Sequence, residues 1–245
     1  MEGFEVTKIG KHIFCILDAG NSSFYMVEGD EKAAVIDTGI TTGKKIMPLL
    51  RELTDKPLLL VVTHVHWDHI YHMDEFDETT LRTLTIGRLK PWNEIHDIHT
   101  DSVISLGGTE LRICQVPGHT PGSVVILETR ENYLFTGDAI GSGCGVWMQI
   151  PGSTDLKTYY DSLVHLMHWL VDNGGRMKFF GGHHMQAFES VAHPVYNPLG
   201  LGVLADMIDL VAQVLSGEIQ GRPSNVSRVF TQEPLLDRKS TRLNS

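Results

Sequence analysis

The sequence predicts an α/β protein folded as a four-layer αββα sandwich. Short runs rich in β-branched and aromatic residues fill the first third and recur in the middle, separated by Gly, Asn and Asp turn signals. One helix-spaced apolar pattern accompanies the first set of strands and two accompany the second. Two halves, each a sheet with helices on its outer face, bury every apolar surface when the sheets stack.

The first strands are FEVTKI, HIFCIL, SFYMVEG and AAVIDTG. TTGKKIMPLLREL carries Ile46, Leu49, Leu50 and Leu53 at helical spacing, with Pro48 confined to its first turn. PLLLVVT is continuously apolar, as a strand covered on both faces must be. LRTLTIG, DSVISLG, ELRICQVPG, GSVVILET and NYLFTGD read as strands, and LKPWNEIHDIHT between them as a loop or short helix. The stretch 139–153 is glycine-rich and irregular, and it reads as an active-site loop. STDLKTYYDSLVHLMHWLVDNGG is the clearest helix: Ser153 or Thr154 caps it, Leu156, Tyr160, Leu163, Met167 and Leu170 share a face, and Gly174 ends it. MKFFGGHH returns to a strand and PLGLGVLADMIDLVAQVLSGE to a helix. Residues 1–220 are expected to form one domain, and 221–245 a disordered or partly non-native tail.

The chain has 245 residues, 42% of them hydrophobic, enough for a sizeable core. Its net charge of -10 speaks against a nucleic-acid binder, which needs a basic face. No apolar stretch reaches the roughly 20 residues of a membrane span, and no export signal is evident. Cys15, Cys114 and Cys144 form neither a disulfide framework nor a CxxC site, so a reduced, cytoplasmic setting is expected. The helix over 199–216 either covers its own sheet or pairs with a second copy of the chain.

The buried strand PLLLVV runs directly into THVHWDHIYH. Imidazoles and carboxylates resist burial unless something neutralises them, and a borderline cation does so. In extended chain His64 and His66 point the same way and can grip one ion, while Asp68 and His69 turn toward a second. Further strands end in the same residue types: His119 in VPGHTPG, Asp138 in FTGD, and His183 with His184 in FFGGHH.

An HxHxDH cluster, a His after a PG turn, an Asp in TGD and a His after a GG strand end together resemble the metallo-β-lactamase superfamily. The early VIDTG adds to the likeness. The resemblance implies one metal held by His64, His66 and His119, a second by Asp68, His69 and His183, and Asp138 bridging them. It is nearest to the hydroxyacylglutathione hydrolase and acyl-homoserine lactonase branch. The diiron flavoprotein branch, with Glu in place of His66, is disfavoured. His183 fits the pattern better than His184.

Such a pair of divalent ions, zinc first, with iron or manganese as alternatives, shares a hydroxide that attacks an acyl carbon. Asp68 then orients the nucleophile, and Ser123 and Cys144 need no catalytic role. The expected activity is hydrolysis of a small thioester or lactone. A mononuclear iron persulfide dioxygenase and a phosphodiesterase or nuclease are the competing readings. Trp147 and Met148 are expected to wall the substrate site, with Tyr159 as a further substrate contact. His72, beyond DH, is expected on a surface turn.

Overall fold

The computed structural model describes residues 3–19, 22–81, 94–141, 145–183, 200–223 and 236–237. β1 (Phe4–Lys8), β2 (Ile13–Asp18), β3 (Ser23–Glu28) and β4 (Ala33–Ile36) form an antiparallel meander. α1 (Met47–Leu53) then carries the chain to β5 (Leu58–Val61), which lies parallel to β4. Pro48 sits in its first turn, where a missing N–H costs nothing. A short helix α2 (Trp67–Ile70) and a 3₁₀ turn precede β6 (Glu78–Leu81) and β7 (Glu94–Asp97), both parallel additions. The seven strands lie in sequence order.

The second sheet holds β8 (Val103–Ser105), β9 (Glu110–Gln115), β10 (Val124–Glu128) and β11 (Tyr133–Gly137). α3 (Leu156–Asp172) then returns the chain to β12 (Lys178–Gly181), parallel to β11, giving the order β12-β11-β10-β9-β8. α4 (Leu201–Leu215) buries Leu204, Met207 and Val211 in the same core as α3. It packs against α3.

Strand periodicity explains the layers. Ile13, Cys15, Tyr25, Val27 and Ile36 face Ile113, Val124, Ile126 and Phe135 of the other sheet. Their neighbours Ile16, Phe24, Met26 and Val35 point outward and pack with Leu49 and Leu50 of α1. On the far side Cys114, Val125, Leu127 and Leu134 meet Tyr159, Leu163, Leu166 and Leu170 of α3. The result is the expected sandwich of helix, sheet, sheet and helix.

Several local expectations moved. EIHD is the edge strand β7, because pairing with β6 supplies the backbone partners that the segment's own propensity does not predict. The strand expected at LRTLTIG begins earlier, at Glu78, and the stretch 82–93 lies outside the described residues. Asp155, rather than Ser153 or Thr154, caps α3, accepting from Thr158 N at 2.8 Å. Ser153 Oγ instead donates to the His119 carbonyl at 3.0 Å. The buried face of α3 is rotated toward Tyr159, Leu166 and Trp169, leaving Leu156, Tyr160 and Met167 half-buried. In the expected tail, β13 (Arg222–Pro223) pairs antiparallel with β14 (Leu236–Asp237), and 224–235 and 238–245 lie outside the described residues.

Among the described residues no helix is long and apolar enough to cross a membrane. Cys15 and Cys114 are buried free thiols, and burial pushes each up to about 12, so neither is a thiolate nucleophile. Cys144 lies outside the described residues.

Candidate metal centre

Both sheets deliver their loops to one end of the sandwich. Ser23 N donates to Gly182 O at 2.7 Å, Val124 N to Thr63 O at 2.9 Å, and Tyr25 Oη to Gly181 O at 2.6 Å. These bonds cross between the two sheets, tying the end of β12 to β3 and the end of β5 to β10, so residues far apart in sequence share one site.

The chain leaves β5 extended through His64 and His66, whose rings meet edge to face with centroids 4.7 Å apart. His66 Nδ1 lies 3.1 Å from His64 Nε2 and 2.8 Å from His119 Nε2. The turn into α2 swings Asp68 and His69 away to a second group. There Asp68 Oδ2 is 3.2 Å from His183 Nε2 and 3.8 Å from His69 Nε2. Asp138 stands between the groups: Oδ1 is 3.5 Å from His69 Nε2, while Oδ2 is 3.5 Å from His119 Nε2 and 3.4 Å from His183 Nε2.

His64, His66 and His119 therefore form one group that could hold a cation, and Asp68, His69 and His183 another. His64, His69 and Asp138 form a third group that overlaps both, and within each group the ligand atoms lie within 4.8 Å of one another. All seven residues singled out in the sequence come together. His184 lies outside the described residues.

The donor set fits a metal on its own chemistry. Among the described residues His69 Nε2 and Asp138 Oδ1 are buried without a hydrogen-bond partner, a costly state that a bound cation removes. Burial, with neighbouring imidazoles, holds His64 well below the usual histidine range and His66 at about 4. Burial also lowers His119. These rings are neutral and offer lone pairs, as ligands must. Burial pushes the Asp138 carboxyl up, but His183 and His69 outweigh it and hold it well below the usual range. Burial works against a charged His183, yet Asp138 and Asp68 raise it to about 11.

The ligand rings are aimed from behind. His119 Nδ1 donates to Trp147 O at 2.8 Å, leaving Nε2 free for the site. Asp37, in VIDTG, does the same for two ligands. Its Oδ2 takes His69 Nδ1 at 2.8 Å and the Thr63 hydroxyl at 2.7 Å, and that hydroxyl lies 3.1 Å from His64 Nδ1. Asp37 adopts a left-handed backbone, φ 62°, which Asp tolerates better than most residues. Its role was not readable from sequence, where VIDTG was a likeness without a contact. Asp37→Ala is expected to weaken metal binding about 10–100-fold, read by competition with a chromophoric chelator.

A cavity of about 490 Å³ opens over the site. Beyond the ligands its described lining includes Trp67, Val146, Trp147, Ile150 and Pro151. Trp147 stands at the cavity as expected. Trp67, 61% exposed, was missed because the surrounding ligands dominate that stretch. Met148 does not line it, and packs instead against the core beneath α3. Tyr159 is also a correction: it is fully buried, and its hydroxyl donates to Ala139 O at 2.6 Å. Tyr159→Phe should leave KM unchanged and cost about 1–2 kcal/mol of stability, read by denaturant unfolding. His72 is likewise buried, not on a surface turn, with Nδ1 2.8 Å from Glu75 Oε1.

A sequence model described as the metallo-beta-lactamase superfamily matches residues 17–81 and 80–168. The chain belongs to that superfamily. Its members typically bind metal ions, in keeping with the His and Asp groups described above. The human protein named acyl-coenzyme A thioesterase MBLAC2 is 27% identical over 234 residues, covering 75% of this chain and 82% of that protein. The bovine mitochondrial persulfide dioxygenase ETHE1 is 33% identical over 121 residues, 46% of each chain. Among solved structures, a metallo-beta-lactamase from Pontibacter korlensis superposes with a TM-score of 0.63 at 20% identity, covering 85% of this chain and 99% of that one. This likeness agrees with the superfamily sandwich.

Proposed function

We propose that the protein is a metal-dependent hydrolase of acyl thioesters, with acyl-coenzyme A as the leading substrate class. The likeness to a protein named acyl-coenzyme A thioesterase over three quarters of this chain carries this beyond the superfamily. The described lining beyond the candidate ligands, Trp67, Val146, Trp147, Ile150 and Pro151, suits an apolar acyl chain. A thiolate, with a conjugate-acid pKa of about 8.5, is also a good leaving group near neutral pH.

His64, His66 and His119 would hold one ion and Asp68, His69 and His183 the other, with Asp138 shared. Two divalent ions there would supply Lewis acidity, lowering the pKa of a water and polarising the carbonyl. Asp68, its side chain 30% exposed, faces the cavity and is placed to orient the attacking water and hold its proton. Trp67, Trp147, Val146 and Ile150 form an apolar wall for the acyl group and exclude water from it. The C–S bond breaks as a C–O bond to the water oxygen forms; the thiolate takes the proton held by Asp68 and the second water proton goes to solvent, giving a carboxylate and a thiol.

The test is elemental analysis of protein purified without chelator, followed by an acyl-coenzyme A hydrolysis assay. About two equivalents of zinc or manganese with turnover supports the reading. The partial likeness to a persulfide dioxygenase favours one competing reaction. One equivalent of iron with oxygen consumption on a persulfide, and no thioester turnover, would establish that instead.

A further inference from the structure

We propose that a second cavity, on the other side of Trp67 from the metal site, binds the phosphorylated end of the substrate's thiol carrier. It rests on the thioester reading above and adds a site for the leaving group. This cavity, of about 480 Å³, shares Trp67 with the metal cavity. A thioester with its carbonyl at the metal ligands can therefore send its carrier arm past the indole into the adjoining space.

The chemistry of the wall suits such a group. Lys44 and Lys45 are adjacent and exposed on the loop before α1 and line the cavity. In a chain of net charge -10 they offset the acidic side chains of the same wall. Two carboxylates also stand in the wall. Glu75 is already engaged, accepting from Ile46 N at 3.2 Å and Met47 N at 3.0 Å at the start of α1, and pairing with His72. Asp74 is exposed to solvent. Two ammonium groups on an open rim are point charges suited to phosphate oxygens.

Two further observations point to a ligand. His72 lines this cavity and is only 3% exposed, and its Nε2 is buried without a hydrogen-bond partner among the described residues. A hydroxyl or amide of the carrier would satisfy it once the wall opens to it. Trp67 and Tyr71 pack edge to face, centroids 5.3 Å apart, with the indole largely exposed. An uncovered indole face is a stacking surface for a nucleobase. Anion contacts, an aromatic face and an unmatched polar nitrogen together describe a nucleotide-bearing carrier.

The test titrates the metal-loaded protein with adenosine 3′,5′-bisphosphate, which carries no sulfur or acyl group. One molecule should bind per chain, more weakly at high salt, and Lys44→Ala/Lys45→Ala should abolish binding. In parallel, kcat/KM is compared for an acyl-coenzyme A and for the same acyl group on N-acetylcysteamine. The double variant should reduce the preference for the coenzyme A thioester on the order of tenfold, through KM. No binding by the unmodified protein, undiminished binding by the variant, or an unchanged preference would each overturn the proposal. If neither thioester is hydrolysed, the thioester reading fails, and the bisphosphate titration still decides this cavity.

Discussion

Asp138→Asn is expected to lower thioester hydrolysis on the order of a thousandfold while leaving the fold intact. Asp138 approaches His119 on one side and both His69 and His183 on the other, at 3.4–3.5 Å. No other described carboxylate touches imidazoles of both main groups. Asparagine keeps its shape but exchanges one anionic oxygen for an amide nitrogen that cannot serve as a ligand without losing a proton. Metal content should fall toward one equivalent or less, and circular dichroism should stay unchanged. Full activity with two bound ions would remove Asp138 from the shared position.

Gly182→Ala should damage the site as surely, without touching a ligand. A Cβ there would stand 2.5 Å from His69 Cε1 and 2.7 Å from Asp138 Oδ1. The backbone cannot swing aside, because Gly182 N donates to Gly137 O at 3.0 Å and Gly182 O accepts from Ser23 N at 2.7 Å. The added methyl must displace His69, Asp138 or both. The expected cost is about 1–3 kcal/mol of stability, with metal content and turnover lost together. Gly202→Ala in α4 is the control: a Cβ there meets nothing within 4 Å, and a helix gains about 0.5–1 kcal/mol from the exchange. Unaltered metal binding in Gly182→Ala would show that the ligands tolerate a shift of this size.

The candidate ligands were legible in sequence because short-range spacing is geometry. Residues two apart in extended chain share a side, which pairs His64 with His66, and the turn into α2 sends Asp68 and His69 elsewhere. His119, Asp138 and His183 stood out because each follows a strand that ends at glycine. The β-branched and aromatic runs between Gly, Asn and Asp turns, with their accompanying helical patterns, likewise foretold stacked layers.

Other features depend on contacts that no local pattern encodes. Asp37 serves His69 across 32 residues, through a bond that exists only once β4 and β5 lie side by side. EIHD is a strand because β6 offers it a partner. The face of α3 was rotated from its sequence pattern because the sheet beneath selects which residues fit, burying Tyr159. Met148 went to the core and Trp67 to the cavity, although both are large and apolar. What the sequence by itself determined was the identity and order of the candidate metal-binding groups and the layered architecture, since backbone periodicity carries both. Which side chains stand behind those groups, and which line the space in front, only the tertiary structure decided, because packing between distant segments sets where each one points.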